Sequence, residues 1–260
     1  MSLRIFIAAI AVWVSSAVFA DEPIPMKWTV AGTERVALVF PPATSTKAKA
    51  PVIFAFHGHG GNMRFAARGM HFQDAWPEAL VVYMQGLPTP GLMHDEQGTR
   101  PGWQHNPGEL HDRDLKFFDA VLATLHEKYS VDDNRIYATG FSNGGFFTYL
   151  LWATRPNIFA AFAPGAGLIL PSSRPTQPRP VLHYGGRRDR MVKFNNQQRT
   201  IDELRKLNGC ASNSEPCGMF CTRYASSARS PVVTFIHPAG HIYPPAVTEL
   251  IVNFFRQYSR

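Results

Sequence analysis

Cysteine is scarce in this chain: three residues in 260, Cys210, Cys217 and Cys221, all in one short stretch. That excludes a disulfide-dense miniature scaffold, and their C-x6-C-x3-C spacing has no metal partner nearby. Charge is sparse too, at 17% of residues. The Lys and Arg residues are scattered, without an aromatic-interleaved basic stripe or a recognised motif, so nucleic acid is not an expected partner. Beyond the first twenty residues no run is long and apolar enough to cross a membrane. There are no internal repeats and no low-complexity tracts.

What is present suits one large domain with a substantial core: 45% hydrophobic and 12% aromatic residues. Residues 1–20 carry Arg4, an apolar stretch from Ile5 to Val14 and the small-residue ending Val18-Phe19-Ala20 before Asp21-Glu22. They read as a secretory signal cleaved after Ala20, leaving a single domain at 21–260 that is secreted or periplasmic. No stable membrane insertion is expected once the signal is removed, and a monomer is the expected state. In an exported chain the cysteines can pair, and Cys210 is expected to bridge to Cys217 or Cys221. Net charge is +7, or about +6 once Arg4 leaves with the signal. That balance would suit an anionic or polymeric substrate.

Apolar runs at 51–56, 80–84, 135–139, 180–184 and 232–236 read as strands, with opening strands at 28–30 and 35–39 around a turn at 32–34. Leu115, Phe118, Val121, Leu122, Leu125 and Tyr129 recur at helical spacing, as do Val247, Leu250, Ile251, Phe254, Phe255 and Tyr258 near the end. Strands alternating with helices argue for an α/β architecture: a mainly parallel sheet covered on both faces.

Gly140-Phe141-Ser142-Asn143-Gly144 spells G-x-S-x-G, between the strand run at 135–139 and helix-compatible residues 146–152. A sharp strand-to-helix turn lifts a serine oxygen out of the backbone, which makes Ser142 the candidate nucleophile. Two partners follow in the required order, each in a loop after a strand. Asp189 comes after the 180–184 run, and His241 after the 232–236 run. In that arrangement Asp189 holds the imidazole tautomer, His241 takes and returns the proton, and Ser142 carries the acyl group. The Asn143 N–H is the first expected oxyanion donor. The second is the amide of His59, with Gly60 as runner-up, in the loop His57-Gly58-His59-Gly60-Gly61. His57 and His59 also suggest a metal pair, but no third ligand accompanies them; no metal and no cofactor are expected. The irregular stretch 86–111 is long enough to form a substrate rim, with Trp103 either an aromatic platform or a packing residue.

These residues resemble those of secreted α/β-hydrolase esterases of the poly(3-hydroxybutyrate) depolymerase-like and feruloyl or acetylxylan esterase group. The resemblance rests on the H-G-x-G loop at 57–60, Asp114 to Phe117, the segment from Tyr137 to Gly145, the loop 185–189, Asn208-Gly209-Cys210, and Ala239-Gly240-His241. It implies an α/β-hydrolase fold and a serine esterase acting on feruloyl, acetyl or polyester substrates. Where the group pairs two acids before the helix this chain has Asp112-Arg113-Asp114, and Tyr243 takes the place of the aromatic, often tryptophan, after the histidine. Trp103 and Tyr243 are the expected substrate contacts. Two other readings use the same residues: a hydrolase of amide or polyamide bonds, and a catalytically silent α/β-hydrolase that only binds.

Overall fold

A computed structural model describes residues 23–43 and 48–260; the expected signal at 1–20 lies outside them. In chain order the elements are β1 (Ile24–Val30), β2 (Thr33–Phe40), β3 (Ala50–Phe56), α1 (Met63–Met70), α2 (Phe72–Ala75), β4 (Leu80–Met84), β5 (Leu87–Pro88) and β6 (Pro101–Gly102). Then come α3 (Arg113–Lys128), β7 (Val131–Phe141), α4 (Asn143–Thr154), β8 (Ala161–Gly165) and β9 (Val181–Gly186). The chain closes with α5 (Phe194–Leu207), β10 (Glu215–Gly218), β11 (Cys221–Tyr224), β12 (Val232–His237) and α6 (Val247–Phe255).

One ten-stranded sheet organises the molecule, in the order β1-β2-β4-β3-β7-β8-β9-β12-β11-β10. The six central strands from β4 to β12 run parallel, while the β1/β2 and β10/β11 ribbons close the edges antiparallel. Every residue of β3 and β4 is buried, as expected for parallel strands covered on both faces. Side chains alternate across the sheet. Val52, Phe54 and Phe56 join a cluster under α3 and α4, whereas Ile53 and Ala55 join one under α1, α2 and α6. Burying a large side chain of this kind contributes about 1.5–3 kcal/mol. The two apolar layers therefore fix the register of the strands and with it the strand ends, where the candidate site lies.

Two details depart from expectation. The first turn is Ala31-Gly32, both at positive φ (48° and 79°), so Thr33 and Glu34 already belong to β2. The disulfide joins Cys217 to Cys221, and Cys210 is free. The β10/β11 hairpin pairs Gly218 with Cys221 and carries the two bridged cysteines, their Cα atoms 5.0 Å apart. Cys210 instead pairs as an isolated bridge with Ser226, and its Sγ points at the Tyr224 carbonyl at 3.7 Å.

Candidate active site

Ser142 sits between β7 and α4 with φ 58° and ψ −122°, a conformation that costs a non-glycine residue about 1–3 kcal/mol. The surrounding glycines make that turn sterically possible. A Cβ on Gly140 would lie 2.4 Å from the Gly144 carbonyl oxygen, and one on Gly144 would lie 2.2 Å from the Phe56 carbonyl oxygen. β3, β7 and α4 thus approach backbone to backbone beneath the serine.

β9 and β12 deliver the other two residues. His241 Nδ1 donates to Asp189 Oδ2 at 2.7 Å, and the Asp189 side chain is completely buried. Asp189 Oδ1 accepts the N–H groups of Met191 and Val192, each at 2.9 Å. With Nδ1 protonated and held by the carboxylate, Nε2 of a neutral His241 is the acceptor. Phe141, the residue before Ser142, packs its ring 4.8 Å from the His241 ring. The turn that carries the histidine comes close because Gly186 has no side chain: a Cβ there would lie 2.2 Å from the Gly240 carbonyl oxygen.

Asn143 begins α4, where the helix's own ladder leaves N–H groups unused. Its side chain is buried and clamps Trp103, accepting the Trp103 N–H at 2.7 Å and donating to the Trp103 carbonyl at 3.1 Å. It also meets His105 Nε2 at 2.9 Å. Glu109 closes this network, accepting the N–H groups of His105 and Asn106 at 2.7 and 2.9 Å, with its other oxygen 3.7 Å from His105 Nδ1. The interaction with His105 and these amide donors pull the Glu109 carboxyl down to about 2. Further back, Asp114 accepts the Gln104 N–H and forms a fully buried ion pair with Arg35 at 2.7 Å.

The loop after β3 packs against the serine turn: a Cβ on Gly58 would lie 3.4 Å from Ser142 Cβ. Gly60 gives its N–H to the Pro101 carbonyl at 2.7 Å, so the runner-up oxyanion donor is already engaged. His59 lines the same cleft as Ser142 and Asn143, and its Nε2 holds Asp95 Oδ2 at 2.9 Å. His57 points away, its Nε2 accepting the Gly86 N–H at 3.0 Å and its Nδ1 lying 2.8 Å from the Gly58 carbonyl. Burial pushes its imidazole down to about 4, so it is a neutral loop anchor. His57 and His59 therefore engage different partners and share none.

The cleft has about 330 Å³ of empty space, part of it open to solvent. It is lined by His59, His105, Ser142, Asn143 and the apolar Leu92, Met93, Phe146, Met191 and Val192. Leu92, Met93 and Met191 are each about half exposed at its rim.

The fold is that of an α/β-hydrolase. A solved ferulic acid esterase from Anaeromyces mucronatus, in complex with ferulic acid, superposes with a TM-score of 0.60 at 18% identity, covering 94% of this chain and 93% of that one. The resemblance in sequence runs to feruloyl and acetylxylan esterases. The bifunctional acetylxylan esterase/xylanase XynS20E of Neocallimastix patriciarum is 25% identical over 167 residues, 64% of this chain and 23% of that protein. The "Probable feruloyl esterase C" of Aspergillus clavatus is 29% identical over 160 residues, 61% of this chain and 56% of that protein. The chain thus spans about half or less of the length of these curated relatives. The prolyl oligopeptidase family model matches residues 103–172, which include Ser142 but neither Asp189 nor His241.

Two expected substrate contacts fall elsewhere in this fold. Trp103 is fully buried, stacked on Phe147 and edge-on to Phe56, with Nε1 donating to the His57 carbonyl at 2.8 Å. It packs the loop onto the core and offers no face to a ligand, because its polar atom and both sides of its ring are already engaged. Tyr243 gives its hydroxyl to a contact with Thr248 at 2.9 Å and sets its ring edge-on to Phe141 and Tyr184, bracing the serine turn from below. The rim is supplied instead by Leu92, Met93 and Met191, which carry no periodic or motif signal in the sequence. Gln197, which donates to Asp189 Oδ2 at 3.1 Å, did leave one. It is a polar residue in register with Thr200, Ile201 and Leu204 on the buried face of α5.

Proposed function

We propose that this chain is an exported serine hydrolase that cleaves carboxylic esters through an acyl-enzyme, with Ser142 as nucleophile, His241 as general base and acid, and Asp189 as its orienting carboxylate. The observation that carries this reading is the 2.7 Å His241–Asp189 hydrogen bond, with the His241 ring packed 4.8 Å from Phe141, the neighbour of a serine held at φ 58°. Ser142 Oγ attacks the ester carbonyl while His241 Nε2 takes its proton. Asp189 stabilises the imidazolium that results without taking the proton itself. The oxyanion of the tetrahedral intermediate is met by the amides of Asn143 and His59. His59 is preferred over Gly60 because the Gly60 N–H already serves Pro101. Collapse expels the alcohol, which leaves with the proton from His241. A water then repeats the sequence in reverse to release the acid.

The apolar rim formed by Leu92, Met93 and Met191, with Phe146 deeper in the cleft, suits an aromatic or short apolar acyl group better than a charged one. Together with the names of the relatives it favours feruloyl or acetyl esters of a larger alcohol, with polyester as the nearest variant of the same chemistry. The test is hydrolysis of p-nitrophenyl acetate, p-nitrophenyl butyrate and methyl ferulate by the purified chain, with fluorophosphonate labelling in parallel. Turnover and labelling that both vanish in Ser142→Ala are expected. Absence of turnover and of labelling in the wild type would leave a binding protein.

A further inference from the structure

Asp189 has a second buried partner besides His241. Its Oδ2 accepts His241 Nδ1–H at 2.7 Å and Gln197 Nε2–H at 3.1 Å. A carboxylate only accepts, so this end fixes the sense of the Gln197 amide: the NH₂ faces Asp189 and, at 2.6 Å, the Val192 carbonyl, leaving Oε1 on the far side. There Oε1 lies 3.2 Å from His183 Nε2, which must therefore carry the proton. His183 is wholly buried, and burial pushes its imidazole down to about 4. In the neutral ring Nδ1 is then an acceptor, and the Tyr149 hydroxyl donates to it at 2.8 Å. Burial raises the Tyr149 phenol and keeps its proton in place. All four groups are at most 5% exposed, and the first three each donate toward the carboxylate: Tyr149 to His183, His183 to Gln197, Gln197 to Asp189.

The backbone is shaped around this chain. A Cβ on Gly185 would lie 2.1 Å from Gln197 Oε1, so β9 is bare where the amide passes.

We propose that Gln197 is a positioning residue for the acid of the triad, and that Tyr149 and His183 hold the far end of its amide in place. The inference rests on the assignment of Ser142, His241 and Asp189 above. A reversed Gln197 amide would aim Oε1 at the carboxylate, a repulsive contact that turns Asp189 away from His241. The Asp189 carboxylate and the Val192 carbonyl can only accept, so they hold the NH₂ in this sense, and His183 Nε2–H anchors Oε1 behind it. The tautomer of a histidine remote from substrate is thereby linked to the orientation of the carboxylate that holds His241.

Two variants test it: Gln197→Met, which keeps length and bulk but no polar atoms, and Tyr149→Phe, which removes only the far hydroxyl. The readouts are kcat per fluorophosphonate-titrated site, KM for p-nitrophenyl acetate, and the far-downfield proton NMR signal of His241 Nδ1–H. Gln197→Met is expected to lower kcat about tenfold with KM within about twofold, and to broaden or move the downfield signal. Tyr149→Phe is expected to act in the same sense, by about threefold. Unchanged kcat and an unchanged signal in a folded Gln197→Met would overturn the proposal, even if the melting temperature fell. Should that variant fail to fold, the same outcome in Tyr149→Phe overturns it. Activity retained by Ser142→Ala would refute the triad assignment instead. The NMR signal, which needs no substrate, would still judge the coupling of Gln197 to the Asp189–His241 pair.

Discussion

Asn143 and Trp103 are joined twice, the asparagine amide accepting the Trp103 N–H at 2.7 Å and donating to its carbonyl at 3.1 Å. The residue whose amide is proposed to meet the oxyanion therefore also holds the loop that walls the cleft. Asn143→Ala leaves two buried backbone groups of Trp103 without these partners, each worth about 1–3 kcal/mol. A fall in unfolding free energy of that order, with kcat lowered although the Asn143 N–H itself remains, is expected from urea denaturation and steady-state kinetics. Wild-type stability would show the clamp to be ornamental.

Asp189→Asn separates orientation from charge. One oxygen of Asp189 accepts two backbone N–H groups and the other accepts His241 and Gln197, so an NH₂ in either position meets donors. The expected result is a folded protein with kcat lower by about ten-thousandfold, the usual effect of forcing the wrong imidazole tautomer. Retention of more than a tenth of the activity would remove Asp189 from the mechanism.

Gly144→Ala is expected to abolish soluble expression or lower stability by more than about 3 kcal/mol, since its Cβ would fall 2.2 Å from the Phe56 oxygen and 2.7 Å from the His57 oxygen. Neither carbonyl is the end of a flexible side chain. A normal melting curve for this variant would mean that β3 and α4 approach less closely than described.

His57 and His183 are both pushed down to about 4 by burial, while an unfolded histidine titrates near 6.5. Above pH 6.5 both states are neutral and stability is independent of these groups. Between about 6.5 and 4 the unfolded chain binds protons that the native one refuses, so stability falls as pH falls, by about 3 kcal/mol for each histidine. Denaturant midpoints measured from pH 7.5 to 4 should drop across that window, and a flat profile would contradict the burial of these rings.

Cys217 and Cys221 close a loop of only a few residues in the outermost hairpin, worth about 2 kcal/mol in the chain-entropy picture. Non-reducing mass spectrometry should find them linked and Cys210 free. Reduction should lower the melting temperature by a few degrees and leave kcat unchanged. A Cys210 bridge would refute the hairpin register.

The parallel centre was legible, and Ser142, Asp189 and His241 stood out as candidates, because each leaves a local signal: a buried apolar run, a glycine-flanked serine, a polar residue just past a strand. β8 was not. Its sequence Ala-Phe-Ala-Pro-Gly has little strand propensity, and it pairs because it is enclosed between β7 and β9. The cysteine pairing escaped for a related reason: three thiols within twelve positions can pair in three ways, and the β10/β11 register selects Cys217 with Cys221. The position of Trp103 depended on partners 40 and more residues away, Asn143 and Phe147. No pattern around Trp103 itself reports on them.

The segment between β4 and α3 is divided in its attachments. Trp103, Gln104 and His105 are bound to Asn143, Asp114 and Glu109, whereas Leu92 and Met93 stand half exposed at the rim. Change at 103–105 would therefore propagate into the chemistry, while change at 92 and 93 would be felt only by whatever enters. One connection thus houses both a fixed foundation and an interchangeable fitting. If the proposed ester chemistry holds, positions 92 and 93 can be randomised together toward a bulkier or more polar acyl group, whereas Met191, whose N–H is held by Asp189, is left as it is.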